Sequence, residues 1–215
     1  MPTNRYNGRP ADTEPIYANT TLVRIMRADA TWDPNSFNPS PRPVGDPDQG
    51  RFEPTDPGLG GYIYLADDAV GAVAEGVLRN QRIPKSGLVR RSWLVNKKIV
   101  RLELLDDVAV ASVYGAGAGK LDLDASFLCC GHRGYSRTRQ TGTEILLNTP
   151  AAQGIRYPCR NHGDLTSLML IDGRPSTPRL SVSDERDIFT DPDGRAEVLD
   201  ILDKVWGLHY TGAVP

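Results

Sequence analysis

A chain of 215 residues is long enough for one well-buried domain and too short to divide easily into two. Its formal net charge of −2 gives no general attraction to phosphate backbones, which argues against direct binding of nucleic acid. Its 3 cysteines are an odd number without a repeated spacing, so we expect neither a disulfide framework nor a zinc site.

The chain also lacks the sequence features of a membrane or secreted protein. No window approaches the run of roughly 18 apolar residues that a membrane-spanning helix needs. The N-terminus has no apolar core of the kind found in signal peptides. We therefore expect a soluble, cytoplasmic protein, and its oligomeric state stays open.

The N-terminal part is predicted to hold a polar arm followed by a first strand. Residues 1–20 are mostly polar and form the arm. Residues 21–27 alternate between apolar and polar side chains, with Arg24 on the polar face, which predicts a strand. Residues 33–61 are rich in Pro, Asp, Asn and Gly, and irregular segments of this length are usually functional or mobile. Arg51 lies in this segment.

A short strand and a helix are predicted next. Residues 62–66, which include Tyr64, have the composition of a strand. A pair of aspartates follows and can cap a helix that extends to Arg79. Glu75 falls at the border of the apolar stripe of this helix, from where a carboxylate can face a cleft. An ordinary solvated glutamate is the alternative.

The middle of the chain contains two further strand patterns and a glycine-rich stretch. Residues 99–105 and 107–113 are predicted as strands. Residues 114–120 invite comparison with a phosphate-binding loop, but Leu121 stands where that motif requires Ser or Thr. We interpret the stretch as a flexible turn. The basic residues between 79 and 91 are interpreted as a solvated helix end and loop.

The second half is predicted to complete the core. Two short helices and two strands are expected, the helices near Phe127 and over 138–147, the strands over 154–157 and 165–171. The second of these strands is almost continuously apolar, which favours burial on both faces. Residues 173–215 are predicted as an extension with one amphipathic helix, 195–206, packed on the same domain.

Several short pieces of the chain together resemble the RES-domain family, which is named for an arginine, a glutamate and a serine spread along the sequence. The pieces are Leu22-Val23-Arg24-Ile25, Gly50-Arg51-Phe52, Tyr64-Leu65-Ala66, Glu75 and Tyr157-Pro158-Cys159-Arg160. No piece is specific alone, so the resemblance rests on their order and on the strand-then-helix context. It covers residues 21–172, for which it implies a catalytic domain.

The resemblance implies a mixed α/β (α+β) single domain akin to ADP-ribosyltransferases, with central mixed and antiparallel sheets flanked by helices. It also implies an enzyme that consumes NAD without a metal, as a glycohydrolase, as a phosphorylase with inorganic phosphate as co-substrate, or as a transferase onto a protein. It further implies the toxin of a toxin-antitoxin pair, neutralised by an antitoxin with a helix-turn-helix (Xre-type) domain.

Each of five residues receives an expected role from this resemblance. Cleavage of the nicotinamide glycosidic bond passes through a cation-like sugar, for which Glu75 is the candidate anion. Arg24 and Arg51 suit the pyrophosphate of NAD, because a guanidinium forms paired hydrogen bonds with phosphate oxygens. Tyr64 is expected to stack on the nicotinamide ring or to donate its hydroxyl, and Arg160 to bind phosphates.

Cys159 is a departure, since the family pattern has serine at this position. One interpretation, which we favour, is that the backbone held by Pro158 does the positioning and tolerates either side chain. A second is a weakened or altered enzyme, or a module that binds NAD or ADP-ribose without turnover. A third is an unrelated hydrolase with Cys159 as catalytic nucleophile and His162 as its base.

Overall fold

Eight strands form one sheet in the computed structural model, which describes residues 6–46, 48–79 and 81–213. The strands are β1 (Thr13–Ile16), β2 (Thr21–Arg27), β3 (Tyr62–Ala66), β4 (Lys97–Leu104), β5 (Val108–Ser112), β6 (Gly154–Cys159), β7 (His162–Ile171) and β8 (Leu180–Asp187). Their order across the sheet is β1-β5-β6-β7-β3-β2-β4-β8. Neighbouring strands are antiparallel except for the parallel pair β5 and β6.

Five α-helices flank the sheet in the described part of the chain. They are α1 (Ala69–Gly76), α2 (Gly115–Lys120), α3 (Ala125–Leu128), α4 (Tyr135–Asn148) and α5 (Pro192–Trp206). The predicted mixed α/β single domain is therefore confirmed, whereas its likeness to ADP-ribosyltransferases stays a prediction. Within the described ranges, no helix has the length and apolar character needed to cross a membrane.

The connection between β4 and β5 requires the sheet to curl. These strands are consecutive in the chain but lie five positions apart in the sheet. Five strand spacings in a flat sheet would amount to about 24 Å. The link from Leu104 to Val108 consists of four Cα steps, which reach about 15 Å at most. The sheet must therefore bend until its two halves face each other.

The concave face of this curled sheet holds one apolar core. Alternate residues of the strands point into it, and Leu22, Ile63, Val100, Leu102 and Leu168 are fully buried there. Branched and long aliphatic side chains fill the narrow interior without any polar group that would need a partner. This core gives the sheet the rigidity on which the site is built.

The convex face carries two further apolar clusters, each covered by helices. One cluster joins α1 and α5, through residues such as Val73 and Val198, to β2 and β4. The other joins α2, α3 and α4, through residues such as Phe127 and Ile145, to β6 and β7. β3 contributes to both clusters, with Ala66 in the first and Tyr62 in the second. Residues of both clusters, among them Ala66 and Tyr62, line one cavity.

The strongest sequence patterns predicted their elements well. β2 and β3 have the predicted bounds, and α5 begins three residues before the predicted helix. The prediction of a flexible turn at the glycine-rich stretch is wrong, because this stretch forms α2. Ala118 of α2 is buried in the apolar cluster, so tertiary packing overrides the low helix propensity of glycine.

Two edge strands differ from the expectation for their segments. β1 lies inside the polar segment 1–20 and pairs with β5. β8 lies inside the extension 173–215 and pairs with β4. Both are edge strands with one open side, where charged side chains are common. Their polar sequences therefore lack the apolar alternation that marks a strand with two neighbours.

Replacement of Leu102 by alanine tests the concave core. Leu102 is fully buried, so Leu102→Ala should lower the free energy of unfolding by about 2–5 kcal/mol. Leu105→Ala removes the same atoms at a position that is 43% exposed and should cost well under half as much. Urea unfolding followed by circular dichroism measures both, and equal losses would contradict a core at Leu102.

Candidate functional site

A gap in the sheet forms a cavity. β2 and β3 are neighbours, but they share only the residue pair Val23 and Ala66, and they separate beyond it. A cavity of about 270 Å³ lies at this gap and is lined by residues of β2, β3, β4 and α1. Among the predicted site residues, Arg24, Tyr64 and Glu75 line it. The fold therefore brings together three side chains from different elements.

Helix α1 places Glu75 at the cavity wall. Asp68 caps the helix by accepting a hydrogen bond from the Gly71 amide at 2.7 Å. At the other end, a Cβ on Gly76 would lie 2.5 Å from the Cβ of Ile25, so only glycine allows this close approach of α1 to β2. The helix is thus fixed at both ends, and the Glu75 side chain, 15% exposed, faces the cavity from its last turn.

Arg51 is the direct partner of Glu75. Its Nη2 donates a hydrogen bond to Glu75 Oε1 at 2.7 Å, and its Nη1 donates to the Leu128 carbonyl at 2.6 Å. The guanidinium also lies over the Tyr157 ring, 4.7 Å from the centroid. Burial is the largest single influence and lowers the pKa of Arg51, but the charge and hydrogen bond of Glu75, together with Tyr157 and Tyr135, outweigh burial and raise this pKa above its usual value. Arg51 therefore remains a cation behind the cavity wall.

A buried polar network holds the loop that carries Arg51. Glu53 is almost completely buried and accepts hydrogen bonds from the amides of Gly50 and Arg42. Arg139 lies 3.6 Å from the same carboxylate and is itself buried. Buried charges are stable only when they are paired in this way. The irregular segment is therefore fixed where it approaches the site.

Tyr64 packs tightly against this loop. Its hydroxyl accepts a hydrogen bond from the Phe52 amide at 2.9 Å, and its ring contacts the Tyr157 ring edge-on at 6.3 Å. A Cβ on Gly50 would lie 2.3 Å from the Tyr64 hydroxyl, so the glycine is needed for the contact. Burial raises the pKa of Tyr64 well above its usual value, which keeps the hydroxyl protonated. One face of the site is therefore aromatic and neutral.

Arg24 brings a positive charge to the opposite side of the gap. Its Nη1 donates to the Pro34 carbonyl at 2.7 Å, while its Nε is buried without a hydrogen-bond partner among the described residues. Burial lowers the pKa of Arg24 to about 10. A guanidinium with an unused donor is suited to an anionic ligand, because the ligand would supply both missing charge and hydrogen bonds.

Most of the chain matches a known protein family. A family model described as "RES domain" matches residues 21–191. The chain belongs to the RES family. The match includes β8, so it extends beyond residue 172, where we predicted the end of the catalytic domain. Family membership indicates an NAD-acting enzyme in general, and a comparison with curated proteins found no match for the chain.

Cys159 of the RES domain points away from the cavity. Its side chain is fully buried, and its Sγ lies 3.1 Å from Ser167 Oγ of the neighbouring strand. Burial, supported by the charge of Glu75, raises the pKa of the thiol to about 12, so the reactive thiolate is scarce at neutral pH. His162, the base considered for it, packs instead against the Trp206 ring at 6.0 Å. This environment argues against nucleophilic chemistry at Cys159.

Arg160 contributes to the RES site through its backbone. Its amide donates to Glu75 Oε1 at 2.9 Å, the same oxygen that Arg51 holds. Its guanidinium donates to the Arg79 carbonyl at 2.7 Å and lies outside the lining of the cavity. The segment Tyr157-Pro158-Cys159-Arg160 therefore supports the carboxylate with a main-chain group, in line with our favoured interpretation of the cysteine.

Sequence reasoning missed several side chains that line the cavity of the RES domain, among them Tyr157, Arg79 and Lys97. Tyr157 stands in the quoted family segment, and its aromatic character was a usable signal. Arg79 and Lys97 also line the cavity. Arg79 was counted with a solvated basic stretch, and Lys97 begins a strand whose apolar pattern starts later. Neither has a local sequence signal, because only the splitting of β2 from β3 exposes them to the same space.

No metal site accompanies these residues. Among residues 6–46, 48–79 and 81–213, no three His, Cys, Asp or Glu side chains are grouped so that they could hold an ion. Cys129 and Cys130 are adjacent in the chain and are free thiols, as is Cys159.

The burial of Cys159 can be tested by alkylation. With a pKa of about 12, about one thiol in ten thousand is ionised at pH 8. Iodoacetamide should therefore label exposed Cys129 in the folded protein and leave Cys159 unmodified. Peptide mass spectrometry distinguishes the sites, and labelling in urea provides the control. Fast labelling of Cys159 in the folded state would restore the hypothesis of a catalytic thiol.

Removal of Arg51 is expected to destabilise the domain. Arg51→Met leaves Glu75 without its counter-ion and removes the guanidinium donor of the Leu128 carbonyl, and breaking a buried ion pair in this way costs about 3–5 kcal/mol. Glu75→Gln should cost less, since the amide oxygen can still accept from Arg51 and Arg160. Chemical unfolding of both variants measures the difference. A fully stable Arg51→Met protein would show that the pair does not organise the loop.

Proposed function

We propose that this RES domain binds NAD in the cavity between β2 and β3 and cleaves the bond between nicotinamide and ribose. The observation that supports this proposal is the placement of Glu75. Its carboxylate lines the cavity, while Arg51 and the Arg160 amide hold Oε1 from behind. Oε2 accepts no hydrogen bond from the described residues, so it is free for a substrate group.

A fixed carboxylate is the group that this reaction needs. When the bond from the ribose C1 atom to the nicotinamide nitrogen breaks, the electron pair leaves with nicotinamide and positive charge develops on the sugar. A carboxylate aimed at that charge lowers the barrier, because it is oriented before the reaction starts. An oxygen of water, inorganic phosphate or a protein side chain then bonds to C1 and loses its proton.

The remaining cavity residues match other parts of NAD. The aromatic wall formed by Tyr64 and Tyr157 suits the flat nicotinamide ring, and the unused donor of Arg24 suits a phosphate oxygen. Trp32 lines the cavity with 44% of its surface exposed, which suits stacking on a base at the entrance. We therefore orient the substrate with nicotinamide inside and adenosine outside.

We further propose a biological role as the toxin of a toxin-antitoxin pair in the cytoplasm. Membership in the RES family is the support for this role. The expected partner is an antitoxin with a helix-turn-helix domain. Co-expression tests the role, since the protein alone should deplete cellular NAD and stop growth, and a helix-turn-helix protein encoded beside it should restore both. Normal NAD levels in cells that produce the active protein would contradict it.

The catalytic role of Glu75 is tested with Glu75→Gln. This variant keeps the shape of the side chain but removes the charge, so nicotinamide release from NAD should fall by about 100-fold to 1,000-fold. Binding of NAD should persist, because the cavity lining is otherwise unchanged. Chromatography of nicotinamide measures turnover, and isothermal titration calorimetry measures binding.

Glu103→Gln is the matched control for this experiment. It makes the same chemical change on β4, outside the cavity lining, and should leave turnover unchanged. Turnover by Glu75→Gln at the rate of the natural protein would remove Glu75 from the mechanism. Binding of NAD without nicotinamide release by the natural protein would support a binding module instead of an enzyme.

A further inference from the structure

Three cationic side chains from separate elements line the same cavity. Arg24 comes from β2, Arg79 follows α1, and Lys97 begins β4. Lys97 Nζ donates to the Gly76 carbonyl at 2.6 Å, and Arg79 makes one long contact from Nη2 to the Asp48 carbonyl at 3.4 Å. All of these hydrogen bonds, with that of Arg24 to Pro34, end on neutral carbonyls. The three charges are therefore solvated by the protein but not neutralised.

The carboxylates around the cavity do not balance these charges. Within the described residues, Arg24, Arg79 and Lys97 form no ion pair within 4.0 Å. Of the lining carboxylates, Glu75 is paired with Arg51 and Glu53 with Arg139. Asp48, the third, is exposed.

Two consecutive lysines of β4 differ in whether they have an ion-pair partner. Lys98 follows Lys97 on β4 and forms an ion pair with Glu185 of β8 at 2.7 Å. Lys97 has no such partner, and burial together with the charge of Arg79 lowers its pKa to about 8. Burial and the charge of Arg79 therefore disfavour the protonated form of Lys97. An anion that enters the cavity stabilises this form, because it replaces the lost solvation and offsets the repulsion between Lys97 and Arg79.

We infer that Arg79 and Lys97, together with Arg24, form a binding site for phosphate oxygens beside Glu75. The site is adjacent to the carboxylate in structure, since Lys97 holds the carbonyl of Gly76, the residue after Glu75. All three side chains line the same cavity, and guanidinium forks and an ammonium are groups that bind phosphate oxygens. The inference deepens the proposed function and rests on it for the identity of the substrate.

Two phosphate sources share this chemistry, and the geometry gives each a distinct consequence. If the ligand is the pyrophosphate of NAD, the cluster anchors the substrate and leaves the acceptor to water or another group. If the ligand is inorganic phosphate, the cluster holds the attacking group and makes the enzyme a phosphorylase. Both sources depend on the same side chains, so one set of variants tests them together.

The experiment uses the full chain with Lys97→Met and Arg79→Met. Lys98→Met is the matched control, because it removes a lysine from the same strand outside the cavity lining. Calorimetry with inorganic phosphate, ADP-ribose and nicotinamide riboside measures binding, and steady-state kinetics gives KM for NAD and for phosphate. Thermal unfolding verifies that each variant is folded, and Lys97→Arg provides a charge-preserving variant that should retain most of the affinity.

If the site binds pyrophosphate, each variant should bind ADP-ribose and NAD more weakly by roughly tenfold to 100-fold. The affinity for nicotinamide riboside should be unchanged. If the site binds inorganic phosphate, each variant should bind phosphate more weakly by the same factor and should have a higher KM for phosphate. The KM for NAD should then be unchanged. Either result supports the inference and identifies the source. If folded Lys97→Met and Arg79→Met bind inorganic phosphate and ADP-ribose as tightly as the natural protein does, the inference is overturned. An equal loss of affinity in Lys98→Met also overturns it.

The outcomes separate this inference from the proposed function. If the natural protein releases nicotinamide and the two variants keep their affinity for phosphate compounds, the inference fails while the function stands. If the natural protein binds phosphate through Lys97 but does not cleave NAD, the function fails while the site stands. A natural protein that neither cleaves NAD nor binds any phosphate compound overturns both.

Discussion

The ion pair between Arg51 and Glu75 is the interaction on which the site depends. A buried guanidinium is costly unless charge and hydrogen bonds compensate it, and Arg51 obtains both from Glu75 and the Leu128 carbonyl. These partners belong to a long loop, a short helix and the end of another helix. The Arg51 guanidinium therefore joins three separate segments of the chain, and it helps to set the position of the proposed catalytic carboxylate.

The sheet provides the space in which this pair can act. Because β4 and β5 are joined by a short link, the sheet curls, and its inner face is filled by aliphatic side chains. The separation of β2 from β3 after a single residue pair then opens the other face to solvent. A rigid core beside an open gap allows charged residues to remain unpaired at low cost to the fold, since only the few residues at the gap lose solvation.

The sequence predicted those parts of the fold and site that have local patterns. β2 alternates, β3 has the composition of a strand, and Asp68 marks the start of α1, so Arg24, Tyr64 and Glu75 could be placed on their elements. The pairing of Arg51 with Glu75 has no local pattern, because it depends on how a loop returns to a helix. Lys97 and Arg79 were missed for the same reason. The edge strand β8 was missed because its own sequence lacks a clear strand pattern, and it is recognised only from its pairing with β4.

The expectation that position 159 tolerates cysteine or serine has a physical basis in the backbone. The register between β6 and β7 shifts between Pro158 and Cys159, as in a β-bulge, and such shifts redirect the groups that follow. Just after this shift, the amide of Arg160 donates to Glu75 Oε1 at 2.9 Å. The Cys159 side chain turns toward Ser167 on the neighbouring strand. A main-chain donor does not depend on the side chain before it, and the carboxylate therefore keeps its support whether serine or cysteine precedes Arg160.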